Sequence, residues 1–101
     1  MISDRNRQRA ASLCEMMKAL GYDPLERTRK RDIVTARAMV AYVLYQECLE
    51  KPQIGELLGV SRHSISHYIE LMEMAILNRH CPGYEAERDL WKKFEQEWKH
   101  S

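Results

Sequence analysis

Apolar residues recur at three- and four-residue spacing through most of this chain, a period that predicts helices. Ala10, Leu13, Met16, Met17 and Leu20 form one stripe over about 3–20, with Ser3 as N-cap and Gly21 as stop. Residues 22–26 read as a turn marked by Asp23-Pro24, and 27–32 as a charged loop without period. The strongest helical pattern is 33–50. There Val34, Arg37, Ala38, Ala41, Tyr42, Tyr45 and Leu49 follow one face, widened by Ile33, Val40, Val43 and Leu44. A helix apolar over most of its girth belongs at the centre of a core. Arg37 sits near its basic N-terminal end and is expected to project toward the preceding loop.

Lys51-Pro52 breaks that pattern, and a short helix over 53–58 follows. Gly59-Val60-Ser61 then reads as a tight turn before a helix over 62–77, buried through Ile65, Ile69 or Tyr68, Met72 and Ile76. After a loop at 78–83, a last helix over 85–99 carries Leu90, Trp91, Phe94 and Trp98 on one stripe. The fold expected is all-α: one compact helical domain over 1–101, with two crossing helices at about 52–77 and an extra C-terminal helix at about 84–100.

Composition agrees. The chain has 101 residues, 45% hydrophobic and 31% charged, enough for one packed core and too few residues for a second domain. No apolar run reaches the ~20 residues of a membrane span. The first residues, Met1-Ile2-Ser3-Asp4-Arg5, lack the apolar core of a secretory signal, so a cytoplasmic protein is expected. Cys14, Cys48 and Cys81 are widely spaced, with no C-x-x-C pair, and read as reduced thiols. A zinc site at His80-Cys81 has no ligand spacing behind it. Arg5, Arg7 and Arg9 read as a solvated N-terminal turn.

Charge changes the picture more than composition does. Net charge is +1, but 27–69 holds seven basic and four acidic side chains, and 70–101 holds five basic and seven acidic. A basic middle hints at an anionic ligand on one face. The stretch 54–69 fits a helix-turn-helix. Gly55 allows close approach of two helices, Gly59 tolerates the turn, Val60 and Ile65 fill the angle, and Ser61 caps the second helix. That helix offers Arg62, His63, Ser64, Ser66 and His67, hydrogen-bonding types suited to base edges in a major groove.

The stretch 27–69 also resembles the C-terminal duplex-DNA-binding domain of the bacterial replication initiator DnaA, in the Trp-repressor-like helix-turn-helix group. The resemblance rests on Arg29-Lys30-Arg31, on Ala36-Arg37-Ala38-Met39-Val40-Ala41-Tyr42-Val43-Leu44, on Ile54-Gly55 and on His63-Ser64, with 13–24 as the counterpart of the family's first helix. It implies Arg29 in a minor groove with Arg31 nearby, Arg37 on a phosphate, and His63-Ser64 opening the recognition helix. The turn departs from the family's: it lacks an aspartate and is one residue shorter before Ile65. The family's target sequence therefore does not transfer, and Arg62 or His67 are candidates for base contacts. The sequence has no G-x-x-x-x-G-K-S/T motif, so the family's ATPase has no counterpart in it.

The DNA-binding candidates are thus Arg29, Lys30, Arg31, Arg37, Arg62, His63, Ser64, Ser66 and His67, in a regulator or replication accessory protein whose partner is double-stranded DNA. No catalytic set and no cofactor motif stands out. His63 and His67 lack a third metal ligand in sequence, so no metal is expected. The alternative is a small helical adaptor. The stripe of Leu90, Trp91, Phe94 and Trp98 reads first as core or a lid over the long helix; in the adaptor alternative Trp91, Phe94 and Trp98 would instead meet a protein partner or a second copy, since two exposed tryptophans call for a cover.

Overall fold

The computed structural model describes residues 2–78 and 82–99, all helical or connecting, with no strand among them. Helix α1 (Asp4–Ala19) starts where the Ser3 hydroxyl accepts the Asn6 N–H at 3.2 Å. It ends as the N–H groups of Gly21 and Tyr22 bond back to the carbonyls of Lys18 and Met17. Ala10, Leu13, Cys14 and Met17 are its buried face. Burial pushes the Cys14 thiol up to about 11, because an apolar surround penalises the thiolate.

Helix α2 (Arg31–Gln46) is the axis of the molecule, buried almost continuously from Thr35 to Leu44. It differs from the expected 33–50 at both ends. Arg31 and Asp32 belong to its first turn rather than to the loop. Its end comes early because Cys48 adopts the left-handed conformation at φ 72°. The Leu49 N–H then returns to the Leu44 carbonyl at 3.2 Å, closing the last turn, and Leu49 tucks inward. Helix α3 (Lys51–Leu58) accordingly starts two residues sooner than expected, capped by Glu50 and Gln53 in a reciprocal pair.

Helix α4 (Arg62–Met72) continues into a π-helical turn (Glu73–Leu77), closed by the Asn78 N–H on the Glu73 carbonyl at 3.2 Å. The expected helix over 62–77 is therefore continuous, but its last turn is wider than a regular α-helix. Ala75 is buried there, and its carbonyl accepts the Arg88 Nε–H at 2.9 Å. Helix α5 (Glu85–Lys99) packs on α1, α2 and the π turn. The Cα radius of gyration is 12.6 Å, close to the ~13 Å of a packed 100-residue domain. No described helix is long and apolar enough to cross a membrane.

Two long-range ion pairs tie this scaffold. Arg9 of α1 meets Glu47, just past α2, through two parallel bonds at 2.8 and 3.0 Å, so Arg9 is not a solvated residue of the first turns. Arg31 reaches across to Glu87 of α5 at 2.7 Å and to the Gly83 carbonyl at 3.1 Å. The His80-Cys81 pair falls outside the described residues.

Candidate nucleic-acid interface

The presentation of α4 depends on the turn before it. Gly59 ends α3 in the left-handed region at φ 72°, and its N–H and that of Val60 both bond to the Gly55 carbonyl. Gly55 makes this closure possible: a Cβ there would lie 2.6 Å from the Val60 carbonyl oxygen. The Ser61 hydroxyl then accepts the Ser64 N–H at 3.1 Å and starts α4. Ile65, Ile69 and Met72 anchor one side of α4 in the core, and Arg62, His63 and His67 are left exposed on the other.

The two serines are placed differently from the expectation. Ser64 is half-buried, and its hydroxyl lies 3.1 Å from that of Ser61, so it belongs to the cap. Ser66 is half-buried too. Its hydroxyl donates to the Arg62 carbonyl at 3.3 Å and accepts from Lys51 Nζ at 3.3 Å. It is turned toward the start of α3 and does not stand free of the protein. His63 and His67 do stand free, with their Nε2 atoms 3.2 Å apart.

The basic loop lies against the same turn. A groove of about 730 Å³ is lined by Arg27, Thr28 and Arg29 on one side and by Glu56–Val60 on the other. Arg27, Arg29 and Lys30 are exposed, and none of them, nor Arg62, has an ion-pair partner among the described residues.

Arg37 and Arg31 are both engaged within the chain. Arg37 is only 9% exposed. Its guanidinium donates to the Pro24 carbonyl at 2.8 Å, to the Glu26 carbonyl and to the Tyr68 hydroxyl at 3.2 Å. It is a strut between residues 24–26 and α4, and it also lines the groove beside the basic loop. Arg31 remains accessible, yet its charge is held by Glu87, whose side chain is only 4% exposed. Arg31 therefore fastens α5 to the start of α2.

The aromatic stripe of α5 lies where its reading as core or lid over the long helix puts it. Trp91 and Phe94 are buried and Trp98 is half-buried, with Trp91 edge-on to Tyr42 at 5.7 Å between centroids. The stripe completes the core.

Arg27, Lys51 and Tyr68 were not among the candidates. Arg27 and Lys51 were visible as basic residues beside the motif, but nothing in the sequence marks Tyr68 as the partner of Arg37. No group of three or more His, Cys, Asp or Glu among the described residues is placed to hold a metal ion. Compared with known proteins, the chain matches no family model, no curated protein and no solved structure.

Proposed function

We propose that this chain binds duplex DNA as a helix-turn-helix module, with α4 in the major groove. The loop 27–30 then follows the backbone or enters the neighbouring minor groove. The observation that carries this reading is a juxtaposition. Arg27 and Arg29, without an ion-pair partner among the described residues, line a groove with one side of a three-residue turn, and the polar outer face of α4 begins at its other end. A polyanion laid over that turn meets both. Arg29 and Lys30 supply counterion release, whereas Arg62, His63 and His67 are the side chains long and free enough to reach bases. Ser64 and Ser66 drop to supporting roles, and Arg37 shapes the loop.

The resemblance to the DnaA C-terminal domain favours the same reading and suggests a regulator or a replication accessory protein. Burial of Trp91 and Phe94 favours the DNA reading over the adaptor alternative.

Fluorescence polarisation on a labelled random-sequence duplex tests the proposal. The expected result is saturable binding that weakens with salt. In an Arg29→Ala, Arg62→Ala variant the slope of log K against log salt should shrink by about 0.9 for each phosphate that is no longer neutralised. Absence of binding at low ionic strength, or an unchanged slope in the double variant, overturns it.

A further inference from the structure

We propose that His63 and His67 form a bidentate chelating site for a late first-row divalent metal ion, Ni²⁺, Zn²⁺ or Cu²⁺, on the outer face of α4. Residues four apart share one face of a helix. Here their rings come together edge to face, with centroids 4.7 Å apart and planes at 89°. The two Nε2 atoms face each other at 3.2 Å. Two identical ring nitrogens at that distance are satisfied in only two ways: they share one proton, or they share one Lewis acid.

The distance suits the second. Metal–imidazole bonds are about 2.0–2.1 Å, and two of them meeting between a right angle and the tetrahedral angle set their nitrogens roughly 2.9–3.4 Å apart. No rearrangement of the backbone is needed, because Ile65 and Ile69 hold α4 in the core on either side of His67. Both imidazoles are exposed, so an ion arrives directly from water. Imidazole donors favour zinc, copper and nickel over magnesium or calcium. No third His, Cys, Asp or Glu among the described residues completes the set. The remaining coordination positions are left to water, which makes this an exchangeable surface site and not a structural one.

Chelation does not depend on the DNA reading. A consequence for DNA does: an ion at this place would occupy two of the three exposed side chains assigned to bases, and added metal would alter duplex affinity.

The test is a Ni²⁺ titration of the full chain without DNA, followed by ¹H–¹⁵N spectra. Nickel is paramagnetic and does not oxidise the thiols. The expected result is one bound ion per chain, with line broadening centred on the amides around His63 and His67. This step should be lost in His63→Gln and in His67→Gln, with the helical circular dichroism unchanged. Broadening centred elsewhere in the unmodified chain, or a nickel step that survives in the double variant, overturns the proposal. Polarisation on the duplex in metal-free buffer is a separate arm. Loss of DNA binding there, with nickel still bound at the pair, would sink the DNA reading and leave the chelate standing.

Discussion

Two long-range contacts and one turn of this molecule treat arginine in opposite ways. Toward α1 and α5, Arg9 and Arg31 are matched to Glu47 and Glu87, and the aromatic residues of α5 point inward. Around the Gly59–Ser61 turn, Arg27, Arg29 and Arg62 face solvent with no carboxylate bound to them among the described residues. Both sides are polar at the surface. The difference is whether the cation is already matched inside the chain. A charge satisfied by a fixed carboxylate offers little to a ligand, while an unpaired one costs the fold little and gains from an anion. Net charge hides this contrast, because +1 averages over both sides.

The contrast can be broken at four places. The largest expected effect is on the packed side. Phe94→Ala removes a fully buried ring and should lower stability by about 3–5 kcal/mol in chemical denaturation. Duplex affinity of the remaining folded protein should not change. Next comes the strut between the sides. Arg37→Ala leaves two loop carbonyls and the Tyr68 hydroxyl without their donor and should cost about 2 kcal/mol or more. Its thermal midpoint should fall together with its DNA affinity, unlike that of the Arg29→Ala, Arg62→Ala variant, which keeps the parent midpoint.

A smaller effect is expected from the exposed pair. Arg9→Gln should cost at most about 1 kcal/mol and leave the salt slope of DNA binding unaltered. If that slope drops, the α1 side is not inert. The last effect, absent at neutral pH, concerns Cys14, whose thiol is raised from 9.0 to about 11. The unfolded thiol ionises first as pH rises, so stability should decline between pH 9 and 11 and recover in Cys14→Ala after allowance for the smaller side chain. At pH 8 a thiol reagent should label the exposed Cys48 quickly and Cys14 only on unfolding.

The sequence disclosed the parts of this fold governed by local rules. The Ser3 and Ser61 caps, the Gly59 turn and the closeness required at Gly55 all follow from a few consecutive residues, and the structure has each of them. Pairings between distant residues were not legible. Arg31 and Glu87 are 56 positions apart, and no pattern links them. Arg37 is the instructive case. Its period placed it on the buried face of α2, which should have argued for an internal partner. Its acceptors are carbonyls of the preceding loop, and backbone acceptors leave no trace in a sequence. The early end of α2 was hidden for a similar reason, since nothing about Cys48 announces a left-handed backbone. The polar face of α4 was read by residue type, which cannot tell a free hydroxyl from one already engaged, as at Ser66.

The guanidinium of Arg37 has one more implication. It is flat and stiff, and it grips two backbone points before the basic loop and one side chain of α4 at once. The separation of those two elements is thereby set during folding, before any partner arrives. A ligand spanning both finds the span already measured and loses little entropy in fixing it.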